Sequence, residues 1–432
     1  MTDYRFSYLG LNAKRQKSSG VGAATVNLGS MSGKGSSTRI FNYCRATSVI
    51  PDNCFNHLLG INSETNQSSG WGSLGSGLND KVEALAFDSS RNRLYAGGNF
   101  TATNDASVTL NRICYFDYNT STWNMLAGGV DSTVHAICIV DTKVFVGGEF
   151  LNALDSAGSS VSNTNYICYF DITDNSWHEL DADCPDAAVY SIVYDTFNVT
   201  EVTLWIGGAF VDIGITEYNR VAKWTTNNKY SRLTTSNGYH GIDTSTSTKT
   251  VYSISVTATL VYFGGSFDTV QDDPALKKLV SWNKLTNSWN ALGSPNFGSD
   301  DSVNSIVTIG TKINIGGDFI NIIGVGAGGN YFAEFTPNNG LWSKIGNDSV
   351  NGTVNTIVWY NNKKYIGGSF DCKISVFDTS NNRSCLGNGL NNTVNAIVLR
   401  TAINNIVAGG DFISSVSPLL ELYYIGTINK KL

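Results

Sequence analysis

One phrase recurs seven times in this chain: a short apolar run, then Gly-Gly, one variable residue and Phe. It reads LYAGGNF to Phe100, VFVGGEF to Phe150, LWIGGAF to Phe210, VYFGGSF to Phe267, INIGGDF to Phe319, KYIGGSF to Phe370 and IVAGGDF to Phe412. The first glycines, Gly97, Gly147, Gly207, Gly264, Gly316, Gly367 and Gly409, are spaced by 50, 60, 57, 52, 51 and 42 residues. Self-similarity at such a period means a unit that cannot bury its apolar face alone and must stack on its neighbours. A chain of 432 residues built this way need not divide into separate domains at the usual size.

Each phrase follows a shorter apolar run of the form Val-x-x-Leu/Ile: Val82–Leu85, Val134–Ile137, Val189–Ile192, Val251–Ile254, Val303–Ile306, Val354–Ile357 and Val394–Ile397. Polar residues such as Asp88-Ser89-Ser90-Arg91-Asn92 lie between run and phrase, so the two read as a β-hairpin. After Phe comes a loop of variable length, then a third apolar run: RICYFD, YICYFD, RVAKW, KLVSW, YFAEF and KISVFD. A polar turn leads to a fourth, TWNML, SWHEL, SWNAL or LWSKI. Four antiparallel strands per unit of about 50 residues describe one propeller blade. Composition agrees: 44 Gly, 47 Asn and 11% aromatic residues favour strands and tight turns. The expected fold is all-β, a seven-bladed β-propeller over residues 69–432.

The seventh unit runs out of chain after a third strand in LLELYYIGTI. Gly70-Trp71-Gly72-Ser73-Leu74-Gly75 resembles the W-x-x-L-G end of other units, so this N-terminal strand is expected to complete the last blade and close the ring. Closure removes the open edge that an incomplete blade would expose. Residues 1–40, rich in Gly and Ser, are expected to form a flexible arm, and 41–68 an irregular connecting segment.

A Gly-Gly pair, then an aromatic residue, six residues and Trp is the pattern of the kelch repeat. The chain resembles it at Phe116 to Trp123, Phe170 to Trp177, Trp282 to Trp289 and Phe335 to Trp342. Two units depart from it, with Ser231 seven residues after Trp224 and Ser384 seven after Phe377. The extra Phe after Gly-Gly-x is similar to the kelch-like repeats of fungal cell-polarity cortical proteins. The resemblance implies a propeller but specifies little about function. It also brings in the copper-radical oxidases similar to galactose oxidase, whose site needs two histidines and two tyrosines. The four histidines here, His57, His135, His178 and His240, form no close pair in sequence, and that chemistry is not expected.

The Gly-Gly pairs end strands rather than opening helices, so they do not form phosphate loops, and no G-x-S-x-G elbow precedes a helix. No Cys/His cluster has zinc-ligand spacing. Asp272-Asp273 and Asp300-Asp301 could offer oxygen to calcium, or simply be solvated turns. The expectation is a non-enzyme without cofactor or catalytic residues. The recurrent Phe and Trp read as plates that fill space between blades. Candidate binding residues are the first variable positions of the seven innermost runs: Glu83, His135, Tyr190, Tyr252, Asn304, Asn355 and Asn395. All are polar, and they form either a binding ring near the axis or the lining of a water-filled channel. A second, less uniform set follows Gly-Gly: Asn99, Glu149, Ala209, Ser266, Asp318, Ser369 and Asp411.

The net charge of −6 divides into +5 on residues 1–40 and −11 on the rest. An acidic body does not suit duplex nucleic acid, whereas the basic arm could meet an acidic partner. No run of 18 apolar residues suits a membrane span. The start, MTDYRFSYLG, lacks the apolar stretch of a signal peptide, so an intracellular protein is expected. Eight cysteines are too few for a disulfide scaffold, although Cys372 and Cys385 flank a hairpin and can pair if oxidised. Much Asn, with Lys above Arg, points to an AT-rich genome and, with the missing leader, to a protozoan or a large DNA virus in which the propeller is a particle component. The expected role is protein binding or architecture through propeller loops, the longest being Leu151–Asn165 and Val270–Lys278. The alternative is glycan binding, with Tyr190 and Tyr252 as the first contacts.

Overall fold

The computed structural model describes residues 13–17, 24–28 and 70–429, apart from short loop stretches at 243–248, 271–272, 274–275, 294, 296, 298–300, 321, 323–328, 347–349 and 417–418. The chain divides into two units, residues 1–70 and 71–432. In the first, Ala13–Lys17 pairs antiparallel with Ala24–Leu28. The rest of the expected arm and all of the 41–68 segment lie outside the described residues.

The second unit contains seven four-stranded antiparallel sheets, one per repeat. In blade 1 the strands are Val82–Asp88, Arg93–Gly98, Ile113–Asp117 and Thr122–Met125, paired in that order. Blades 2 to 6 repeat this plan from inner strands beginning at Val134, Val189, Val251, Val303 and Val354. Blade 7 takes Val394–Arg400, Asn405–Gly410 and Ile425–Asn429 from the end of the chain. Its fourth strand is Trp71–Ser73, with Trp71 opposite Ile428 and fully buried. Each inner strand packs beside the next, and that of blade 7 beside that of blade 1. The ring is closed as the repeat count required.

Both glycines of the repeat have a steric cause. A Cβ on the first would strike the next blade: at Gly97 it would stand 2.4 Å from Val134 Cγ1, and at Gly264 2.6 Å from Val303 Cγ1. The same holds around the ring to Gly409, where it would stand 2.5 Å from Val82 Cγ1 of blade 1. The Gly-Gly of one blade and the Val-x-x-Ile of the next are therefore halves of one contact. A Cβ on the second glycine would enter its own blade's backbone, 2.0 Å from Thr250 O at Gly265 and 2.0 Å from Ser302 O at Gly317. The Phe two residues later is buried in all seven blades, each contributing about 1.5–3 kcal/mol of apolar burial.

A further feature fixes the return to the third strand. Arg112, Tyr166, Arg220, Lys278, Tyr331, Lys373 and Tyr424 all have φ between 60° and 74°, a region that L-residues enter at a cost of about 1–2 kcal/mol. Each offsets that cost with two backbone bonds: its N–H donates to the carbonyl of the repeat Phe, and its carbonyl accepts from the second repeat glycine. Four of the seven are basic, and their side chains also reach the carbonyl of the residue between Gly-Gly and Phe, as Lys278 Nζ does to Ser266 O at 3.0 Å.

The Trp plates bridge blades at the perimeter. Trp123, Trp177 and Trp342 donate their indole N–H to carbonyls of the preceding blade, Leu74, Leu126 and Leu292, at 3.0, 3.2 and 2.8 Å. The two departing blades share one cause. Their turn between third and fourth strands is one residue shorter, which slides the fourth strand. Tyr230 then stands opposite Trp224, and Arg383 opposite Phe377, where Trp123 stands opposite Phe116. Ser231 and Ser384 lie one position further along, opposite Lys223 and Val376. Arg383 stacks over Phe370 at 5.0 Å and pairs with Asp371, and Cys372 and Cys385 are joined by a disulfide that ties the same strand to the blade.

Candidate functional site: a polar ring on seven bulges

All seven candidate ring residues occupy the same special place. Pairing between inner and second strand shifts register once per blade, between Val82 and Ala84, Val134 and Ala136, and likewise to Val394 and Ala396. The residue skipped is Glu83, His135, Tyr190, Tyr252, Asn304, Asn355 or Asn395. A bulge leaves its extra residue out of the ladder and re-aims its side chain. Every one of the seven is half-buried.

The structure brings five of these side chains together as two contrasting arcs, and leaves Asn304 and Glu83 to partners within their own blades. In blades 2 to 4, His135 stacks on Tyr190 with centroids 4.6 Å apart, and Tyr190 meets Tyr252 edge to face at 5.6 Å. Glu149 joins this arc: His135 Nε2 lies 3.2 Å from its Oε1, and the Tyr190 hydroxyl donates to the same oxygen at 3.4 Å. Burial first, then the Glu149 charge, pushes the Tyr190 hydroxyl up to about 12, so it remains a donor at neutral pH. In blades 6 and 7 the arc is amide. Asn355 Nδ2 donates to Asn395 Oδ1 and Val394 O, and Asn395 Nδ2 to Val82 O of blade 1, all at 3.3 Å. Asn304 accepts from Ser302 Oγ at 2.7 Å, and Glu83 holds Lys81 at 2.8 Å, which raises the Lys81 ammonium pKa.

The residues after Gly-Gly interleave with this ring. Asp411 accepts from Asn395 at 3.4 Å, and Asn99 accepts the Thr133 hydroxyl of the next blade at 2.6 Å. The small positions beside the ring also have a role. Ser253 Oγ accepts from Ile306 N, and Ser305 Oγ from Ile357 N, both at 3.0 Å, so each caps the free inner edge of the following blade. Sequence reading missed Lys81 and the left-handed basic residues. The latter had a signal in the Arg, Tyr or Lys that opens every third-strand phrase.

Among the described residues two further histidines sit apart from the ring, while His57 lies outside the described residues. His178 stacks on Tyr169 at 5.1 Å and bonds Asp174 at 2.8 Å, and His240 bonds Thr234 at 2.9 Å. Among the described residues no group of three or more His, Cys, Asp or Glu is placed to hold a metal. Asp272 and Asp300, the first residues of the two calcium candidates, lie outside the described residues, as does part of the Val270–Lys278 loop. No helix of the described residues is long and apolar enough to cross a membrane.

Seven closed four-stranded blades place the chain in the β-propeller class. The family of the Rax2 C-terminal β-propeller domain matches residues 58–150, which take in blade 1 and half of blade 2. Among solved structures, the computationally designed Ika8 protein is similar at 14% identity with a TM-score of 0.46, over 83% of this chain and 100% of that one. No curated protein matches.

Proposed function

We propose that the chain is a non-enzymatic, kelch-like scaffold that binds proteins through the face carrying its second-to-third-strand loops. The observation that supports this reading is where exposed apolar residues recur. The residue directly after the buried repeat Phe is an exposed aliphatic in three blades, Leu151, Ile320 and Ile413. Ile215, Val416 and Leu419 add to them from loops of the same face. The opposite face also exposes Phe197, Val199, Leu285, Leu341, Trp359 and Ile403, but these share no repeat position, whereas exposed apolar side chains recurring at one position with polar groups between them suit protein contact. The seven inner seams make the platform rigid, so a partner would order few groups on binding. An intracellular setting, and a place in a larger particle, belong to this proposal.

The glycan alternative needs open aromatic faces at the ring. Tyr190 already stacks one face on His135, which leaves Tyr252 as the better platform. The test is affinity capture from the native source with four forms of the protein: intact, lacking residues 1–40, Leu151→Asp/Ile320→Asp/Ile413→Asp, and Leu285→Asp/Leu341→Asp on the opposite face. The proposal expects protein partners that the triple variant alone loses. Equal capture by both charged variants would overturn the assigned face. Retention of glycan in place of protein, abolished by Tyr190→Ala/Tyr252→Ala, would favour the alternative.

A further inference from the structure

We propose that the aromatic arc of the polar ring, Tyr252 with Tyr190 and Glu149, receives the ammonium group of a lysine side chain from a partner protein. This rests on reading the chain as a protein-binding scaffold, and it names the chemistry that the centre of the binding face would recognise. The ring lies at the same end of the blades as the second-to-third-strand loops. The start of each inner strand pairs with the Gly-Gly end of the second strand, as Val82 does with Gly98.

The ring side chains also meet across the opening. Burial is the main cause that raises the Tyr190 hydroxyl pKa, and the charges of Glu149 and, less strongly, Glu83 add to it. Glu83 belongs to blade 1 and Tyr190 to blade 3, so two blades that are not neighbours turn these side chains toward one centre.

The two arcs differ in what they have left to offer. On the amide side, Asn355 and Asn395 bond one another and the main-chain carbonyls of the following blades. Glu83 is neutralised by Lys81 at 2.8 Å. The aromatic side is open. Glu149 is 47% exposed, and among the described residues no lysine or arginine bonds it. Its bonds from His135 and Tyr190 both fall on Oε1, which leaves Oε2 for another donor. Tyr252 is half-buried, and the one ring it meets is that of Tyr190, at 84°. The negative face of an aromatic ring and an unneutralised carboxylate on its neighbour both attract a cation. One free oxygen suits the point charge of lysine better than the fork of arginine, which is held best by two parallel acceptors.

Titration of the intact chain followed by nuclear magnetic resonance tests the assignment. The probe is Nα-acetyl-lysine N-methylamide, with its Nε-acetylated form as the uncharged control and Nα-acetyl-arginine N-methylamide as the forked cation. Saturable binding of the lysine probe is expected, weaker for arginine and absent for the acetylated form. Tyr252→Leu and Glu149→Gln should each weaken it by about threefold or more, the scale of an exposed cation–π contact. Tyr252→Phe should recover what Tyr252→Leu loses, which separates loss of the ring from misfolding. No saturable binding of the lysine probe, equal binding of the acetylated form, tighter binding of arginine, or equal binding by the parent and both weakened variants would overturn the proposal. Lysine binding with these losses, alongside partner capture that ignores the loop substitutions, would uphold this site and overturn only the loop residues assigned above.

Discussion

The inner seam and the outer perimeter of this propeller are built from the same repeat under opposite degrees of constraint. Near the axis seven blades converge, and each first repeat glycine faces the Val and Leu or Ile of the following blade so closely that a single carbon would overlap. Gly-Gly and Val-x-x-Ile are accordingly kept in all seven units. At the perimeter the blades splay, and the space between them can be filled in several ways. Trp does so in blades 1, 2, 4 and 5, Tyr230 in blade 3, and Arg383 with a disulfide in blade 6. The difference teaches where such a ring can acquire function: at positions that close packing does not already dictate.

The sharpest way to break the comparison is to add one carbon beside the seam, at the second repeat glycine, which packs on its own blade's inner strand. Gly317→Ala puts a Cβ 2.0 Å from Ser302 O, a backbone atom that cannot move without opening the bulge. A loss of more than about 4 kcal/mol, or failure to fold, is expected. Gly310→Ala, where a Cβ meets nothing within 4 Å but φ is 60°, should cost only about 1–2 kcal/mol. Denaturant unfolding of the two variants measures the difference. Next in size is the perimeter plate itself. Trp177→Ala should cost about 3–5 kcal/mol, because it leaves a cavity and strips a donor from Leu126 O.

Removing the disulfide sharpens the contrast between perimeter solutions. Cys372 and Cys385 are 13 residues apart, and closing such a loop contributes about 3 kcal/mol. Cys372→Ser/Cys385→Ser should lose about that much, and reducing agent should lower the melting temperature of the parent but not of the variant. The smallest effect belongs to the ionic plug of blade 2. Burial raises the Asp171 carboxyl pKa, but hydrogen bonds from Thr173 and Lys143 outweigh it and hold the group well below the ordinary carboxylate range. A depressed carboxylate contributes stability that is fully present above about pH 4 and is lost as pH falls below that. Asp171→Asn should therefore show a shallower fall in melting temperature between pH 5 and pH 2 than the parent.

The seam was legible in the sequence because its constraint is the same in every blade, and seven copies of one phrase expose it. The closing strand at Trp71 was legible for a related reason, since a ring of six complete units and one incomplete unit leaves a single vacancy. The polar ring was found as a set of positions, but not as a set of bulges, because a bulge is defined by the partner strand. The perimeter's departures at Ser231 and Ser384 were visible in the sequence, but not that Tyr230 and Arg383 take the Trp place. Counting seven residues from Trp224 and Phe377 assumes a turn of constant length, and a one-residue deletion moves every side chain of the outer strand to the other face. A cleft between blades 3 and 4, lined by Trp205, Lys223, Trp282 and Lys284, had no sequence signal at all. It depends on which side chains of two different blades face one another.

Hydrogen–deuterium exchange on the intact protein tests most directly the claim that one uniform seam carries a variable perimeter. The amides of the second strands, such as Tyr95, Phe145, Trp205, Tyr262, Asn314, Tyr365 and Val407, should be protected to a similar and near-global limit in all seven blades. Outer strands should exchange sooner, and earliest in Lys229–Ser231 of blade 3, where neither Trp nor disulfide anchors the edge. Blade-by-blade differences in second-strand protection as large as those among the outer strands would contradict the account.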